Sequence, residues 1–163
     1  MLRGHFDTLV EEARREVSAA YGERLVSLVL FGSVARATMG PESDIDLLVV
    51  ADPLPDGRLA RVAELDVVEE RLAGALATAA RDGVHTRLAA IFKTPREVER
   101  GSLLFLDMTD RARILFDRDG FFRAYLKRLS ARLQELGSRR IEKGGGYYWL
   151  LKPDLKPGEV IEL

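Results

Sequence analysis

The chain has 163 residues, 47% of them apolar and 31% charged, with a formal net charge of −1, the profile of one globular domain with a core of its own. It contains no cysteine, which excludes a disulfide framework, a thiol nucleophile and a thiolate zinc site. The balanced charge gives no ground for expecting nucleic acid or a membrane surface as partner, and no apolar run approaches the length of a membrane span.

The opening stretch MLRGHFDTLVEEARREV is charged throughout and lacks the apolar centre of a signal peptide, so a cytoplasmic protein is expected. Asparagine is absent and Gln134 is the single glutamine. Depletion of thermolabile side chains points to a thermophilic source.

Phe6, Leu9, Val10, Ala13, Val17, Ala20 and Tyr21 recur at helical spacing and predict a helix over about 4–20, ended by Gly22. Leu25–Phe31 is short and almost wholly apolar, as a strand buried on both faces would be. Residues 32–43 read as a turn with one short helix, stopped by Gly40-Pro41, and 44–50 as the next strand. Leu65, Val68, Leu72, Leu76 and Ala79 mark the buried side of one long helix over about 57–81, and Asp82-Gly83 turns the chain into a third strand at 84–92. Thr94-Pro95-Arg96-Glu97 combines an N-cap, a proline at the first helical position and a capping-box glutamate.

A short helical segment is expected at 103–108. A fourth strand follows at 111–117, with Ala112, Ile114 and Phe116 on one side and Arg113, Leu115 and Asp117 on the other. Phe122, Tyr125, Leu126, Leu129, Leu133 and Leu136 define a last long helix stopped by Gly137. Residues 139–143 and 147–152, joined by Gly144-Gly145-Gly146, read as a closing β-hairpin whose aromatic residues Tyr147, Tyr148 and Trp149 pack on the sheet. No helix follows the three glycines, so they are not read as a phosphate loop. The expected architecture is α/β (α+β): a small mixed sheet with helices packed on it. Residues 1–118 would form the main domain and 119–163 a helix-hairpin extension packed on it.

The chemistry concentrates in residues 25–50. Two apolar strands flank a polar connection that starts with Gly32-Ser33 and ends with Asp44-Ile45-Asp46. Residues i and i+2 of a strand share a face, so Asp44 and Asp46 project side by side while Ile45 turns to the core. Neighbouring carboxylates repel unless a cation lies between them, and an all-oxygen donor set suits Mg²⁺ or Mn²⁺ rather than zinc. Gly32-Ser33 offers backbone N–H groups, a hydroxyl and close approach to the chain, as an anion requires. Arg36, one short turn later, adds a positive charge. Together these groups suit a nucleoside triphosphate with its divalent ion.

Gly32-Ser33, ten residues, then Asp44-Ile45-Asp46 resembles the signature of the DNA polymerase β-like nucleotidyltransferase superfamily. Within it the chain, over about residues 20–118, resembles the minimal nucleotidyltransferases, small stand-alone prokaryotic proteins with archaeal members. The resemblance implies the polymerase β-like fold and transfer of a nucleoside monophosphate from an NTP, ATP first, to a hydroxyl with release of pyrophosphate. It implies that Gly32 and Ser33 hold the triphosphate and that Asp44 and Asp46 hold Mg²⁺ (or Mn²⁺). Some minimal members neutralise a HEPN-domain toxin by adenylylating it, so a HEPN-domain protein is the partner the resemblance implies. Homo-oligomerisation is left open.

One departure stands out. The family places a third acidic residue on the following strand, and VHTRLAAIF has none. Asp82, Asp107 and Asp117 are the carboxylates nearest in sequence that could substitute. If none does, the alternative is a catalytically degenerate member that binds a nucleotide or a partner. Thr86 and Arg87 could face the aspartates, and His85 is read as a strand-end residue rather than a ligand. The cations of the last long helix, Arg123, Lys127, Arg128 and Arg132, with Arg139 and Arg140 beyond it, are read as a solvated face.

Overall fold

The structure, a computed structural model, describes residues 1–163. A four-stranded mixed sheet forms its centre, from β1 (Leu25–Phe31), β2 (Ile45–Ala51), β3 (Leu88–Lys93) and β4 (Arg113–Asp117), in the spatial order β3-β2-β1-β4. β1 pairs antiparallel with both β2 and β4, and β3 runs parallel to β2. β1 and β2 are apolar along their length because both faces of the sheet are covered. Leu28, Leu30, Leu47 and Val49 turn to one layer, with α1 (Leu2–Tyr21) and α4 (Asp66–Arg81). Val29, Leu48 and Val50 turn to the other, with Phe105 and, from α7 (Phe121–Leu136), Phe122 and Leu126. No helix is long and apolar enough to cross a membrane.

Several expectations hold at residue level. Thr94 and Glu97 form the capping box of a short helix, Pro95–Glu99, with reciprocal bonds of 3.2 and 2.8 Å. Gly137 ends α7 in the left-handed conformation at φ 69°. β5 (Arg139–Lys143) and β6 (Gly146–Leu150) pair as a two-stranded hairpin around Gly144-Gly145, both at positive φ, as a tight two-residue turn requires.

Other expectations need correction. The helix expected over 57–81 is two helices, α3 (Arg58–Ala63) and α4. Arg61, in α3, bonds Glu97 at 2.8 and 3.0 Å and the Phe92 carbonyl at 3.3 Å. Glu64 pairs with Arg24 at 3.2 Å while Leu65 is buried. One straight helix could not satisfy all of these. The third strand starts at Leu88 rather than 84, because His85 N–H and the Thr86 hydroxyl bond the carbonyls of Pro41 and Ser43 instead of a ladder.

In β4 the strict alternation fails. A bulge opposite Leu28/Val29 puts both Leu115 and Phe116 against the α1 side of the sheet, as an extra unpaired residue does. The aromatic residues of β6 do not all pack: Trp149 joins the α7 layer, but Tyr147 and Tyr148 stay exposed. The cations of α7 are partly tied down, Arg128 to Glu99 at 2.8 Å and Arg132 to Glu135 at 3.2 Å.

Candidate active site

The antiparallel pairing of β1 with β2 sets Phe31 opposite Asp46, so the chain leaving β1 turns directly beside that carboxylate. Gly32 makes the turn at φ +72°, and a Cβ added there would lie 2.0 Å from Asp46 Oδ2 and 2.9 Å from its Cγ. The bend and the acid are therefore packed against each other, and only glycine leaves the acid room. Gly32 also opens a one-turn helix, α2 (Gly32–Ala35). Ser33 lies half-buried in it; its carbonyl accepts the Thr38 N–H at 3.0 Å.

Asp46 lies in β2 and Asp44 just before it, with Ile45 between them fully buried. Burial, and then the neighbouring Asp44, push the Asp46 carboxyl above its ordinary pKa, against the opposing charge of Arg36. Two carboxylates whose ionised forms are mutually unfavourable, with hard oxygen donors, fit a divalent cation such as Mg²⁺, which takes one or two protein carboxylates and fills its remaining positions with phosphate oxygens and water.

The residue that enters β3 supplies a further group, one of the two that the sequence allows to face the aspartates. The Ile45 N–H bonds the Arg87 carbonyl at 2.9 Å, and the parallel register then sets Ile45 beside Leu88 and Asp46 beside Ala89. Arg87 Nε lies 3.3 Å from both carboxylate oxygens of Asp44. The Arg87 cation, just before β3, and the Ala89 methyl, within it, thus stand beside the aspartates, where the resemblance calls for a third acid. Asp46 opens into a hollow of about 780 Å³ whose wall includes Arg58, Glu69, Arg87 and Ala89. Asp44 lines an adjoining hollow of about 620 Å³, and Arg87 belongs to both walls.

None of the three acids nominated from sequence joins the pair. Asp82 faces His5 at 3.4 Å. Asp107 accepts from the Tyr147 hydroxyl and the Trp149 ring N–H at 2.8 and 2.9 Å. Asp117 accepts from the buried Ser27 hydroxyl at 2.7 Å and from the N–H groups of Phe122 and Arg123 at 2.9 Å, which caps α7. No three His, Asp or Glu side chains cluster closely enough to hold an ion by themselves. Sequence reasoning missed Glu69, the second carboxylate on the wall of the larger hollow. It reaches there from α4, and no local pattern marks it.

The profile of the family described as "Nucleotidyltransferase domain" matches residues 10–98, which includes the bend, both aspartates and Arg87. A Methanocaldococcus jannaschii protein named "Putative protein adenylyltransferase MJ1305" is 32% identical over 126 residues, 76% of this chain and 80% of that protein. Among solved structures, a chain from a toxin-antitoxin complex with AMP-PNP aligns with a TM-score of 0.48 at 20% identity, covering 76% of this chain and 88% of that one. A chain from the complex of tri-AMPylated Shewanella oneidensis HEPN toxin with MNT antitoxin gives 0.44 at 15% identity, covering 83% and 89%.

Proposed function

Because the chain belongs to the nucleotidyltransferase domain family, we propose that it transfers the nucleoside monophosphate of a magnesium-bound NTP, ATP by preference, to a hydroxyl on a protein acceptor. Asp44 and Asp46 hold the metal, and Gly32, Ser33 and Arg36 hold the triphosphate. Residues 1–118 carry the reaction and residues 119–163 form the extension. The observation that carries this reading is the contact between the Gly32 bend and the Asp46 carboxylate, which leaves no room for a Cβ. It supports a site in which anion donors and metal ligands act together, as a metal-bound triphosphate requires. The preference for ATP and for a protein acceptor is supported by the name of the 32% identical relative. The minimal-nucleotidyltransferase pattern of the sequence makes a HEPN-domain protein the first acceptor to test.

In the reaction the acceptor hydroxyl oxygen attacks the α-phosphorus. A new P–O bond forms, the bond from the α-phosphorus to the α,β-bridging oxygen breaks, and pyrophosphate leaves. The acceptor proton passes to water. Magnesium, when bound, would withdraw charge from the phosphate oxygens. Asp44 and Asp46 fix where that charge is withdrawn. Gly32 admits the phosphates to the backbone, and the Ser33 hydroxyl and Arg36 orient them. With no third carboxylate beside the pair, a rate lower by roughly two to four orders of magnitude than with a positioned base is expected.

The ion pair between Arg87 and Asp44 favours a second reading, a member that binds nucleotide or partner without turnover. One experiment separates the two. Purified protein, Mg²⁺ and a candidate HEPN-domain acceptor are incubated with ATP labelled at the α- or the γ-phosphate. Transfer of α-label alone, lost in Asp46→Asn, supports the transferase. Mg-ATP binding without transfer of label supports the second reading.

A further inference from the structure

We propose that the C-terminal hairpin carries a phosphate-binding subsite, in the hollow between its glycine turn and Arg36. The hollow measures about 440 Å³, and Arg36, Arg111, Arg140, Lys143, Tyr147 and Glu142 line it together with the turn. Four cations thus face one carboxylate. Glu142 lies 3.8 Å from Arg140, and Arg111 pairs only with its neighbour Asp110, at 3.9 Å. Arg36 and Lys143 form no salt bridge. Like charges gathered at this density repel, and an anion with several oxygens relieves all of them at once. Guanidinium forks match phosphate oxygens in geometry as well as charge.

The wall is held in place before any ligand arrives. The Arg140 guanidinium lies 5.3 Å from the centre of the Tyr147 ring. Tyr147 and Trp149 both donate to Asp107, which ties the hairpin to the segment leading into Arg111. At Gly144 and Gly145 a Cβ would meet nothing within 4 Å, so the mouth of the hollow is open.

Arg36 joins this subsite to the Gly32-Ser33 bend, because it directly follows the one-turn helix that Gly32 opens and also lines the hairpin hollow. Asp46 also lies on the same side of the sheet as Leu48 and Val50, the layer that Trp149 completes. The occupant is a phosphate group, with two sources: the terminal phosphates of the donor, or a phosphate carried by the acceptor. The subsite stands on the cation cluster alone, whereas its link to a donor rests on the function proposed above.

The test uses tripolyphosphate as the probe, without divalent metal and at low salt. Binding is followed by calorimetry and by the fluorescence of Trp149, the single tryptophan, which sits on the hairpin. The full chain should bind, with a change in fluorescence. Arg140→Ala/Lys143→Ala should weaken binding at least about tenfold, and Lys143→Gln, at the exposed end of β5 where it cannot unfold the core, about threefold. Asp44→Asn/Asp46→Asn should bind at least as tightly as the parent. Unchanged affinity in both hairpin variants, or loss of binding in the aspartate variant, overturns the proposal. Mg-ATP then distinguishes the sources. Weaker Mg-ATP binding by the hairpin double variant assigns the subsite to the donor; unchanged Mg-ATP binding with weaker tripolyphosphate binding assigns it to the acceptor. A protein that binds tripolyphosphate in this pattern and transfers no label retains the subsite and loses the transferase reading.

Discussion

Replacing Gly32 by alanine separates what the bend does for stability from what it does for the site. Two costs arise. The first is conformational: an L-residue held at φ +72° loses about 1–2 kcal/mol relative to glycine. The second is local. The new Cβ would lie 2.0 Å from Asp46 Oδ2, whereas ordinary contact begins near 3.4 Å, so the carboxylate must move by more than 1 Å. The Asp46 Cγ at 2.9 Å and Cβ at 3.2 Å are crowded as well, so the whole short side chain must shift, at a cost added to the conformational one. A displacement of about 1 Å at a reacting centre also costs on the order of a hundredfold in rate.

Gly83→Ala is the control: its φ is +83° and its Cβ would meet nothing within 4 Å, so it incurs the conformational cost alone. Urea denaturation and Mg-ATP calorimetry on both variants give the comparison. Gly83→Ala should lose about 1–2 kcal/mol of stability and Gly32→Ala at least as much, and Gly32→Ala alone should lose most of its metal-dependent nucleotide affinity. Equal nucleotide affinity in the two variants would refute the argument that the bend and the acid form one site.

Arg87→Ala removes a competitor for Asp44. The Arg87 side chain is 80% exposed, and an exposed pair is worth at most about 1 kcal/mol, so Mn²⁺ affinity measured by EPR should rise, by no more than about fivefold. Asp117→Ala removes the acceptor of the buried Ser27 hydroxyl and of two α7 N–H groups; denaturation should report a loss of about 2–3 kcal/mol with nucleotide affinity retained. The Arg61 guanidinium, helped by the Thr94 N–H, holds the Glu97 carboxyl down to about 2 against the opposing effect of burial. A depressed folded-state pKa stabilises above the unfolded value and loses that contribution as pH falls. The stability difference between the parent and Glu97→Gln should therefore be full above about pH 4.5 and vanish toward pH 2, with a size of about 1–2 kcal/mol after solvent screening.

The elements that could be read from sequence are those whose causes are local. Gly32-Ser33 and Asp44-Ile45-Asp46 stand out because strand periodicity and a glycine turn act over a few residues, and the pairing that brings them together follows from two short strands joined by a short connection. The Thr94 capping box and the Gly137 stop are legible for the same reason. The break at Glu64-Leu65 was not, since both helical halves keep a helical composition and the cause is the reach of Arg61 to Glu97 and of Glu64 to Arg24. The bulge in β4 likewise depends on its partner strand. The sequence allows Arg87 to face the aspartates, but its bond to Asp44 follows from the β2–β3 register. Asp107, a carboxylate the sequence offers for the metal, instead anchors the hairpin, a contact 40 residues distant in sequence.

The central claim is that the Gly32-Ser33 bend and the aspartate pair hold a metal and a polyphosphate together, so each ligand should strengthen binding of the other. Isothermal titration of ATP with and without Mg²⁺, in the parent and in Asp44→Asn/Asp46→Asn, measures that coupling directly. ATP affinity should be at least about tenfold higher with magnesium in the parent, with a much smaller gain in the variant. The same magnesium dependence in both proteins, or none in the parent, would rule out a shared site.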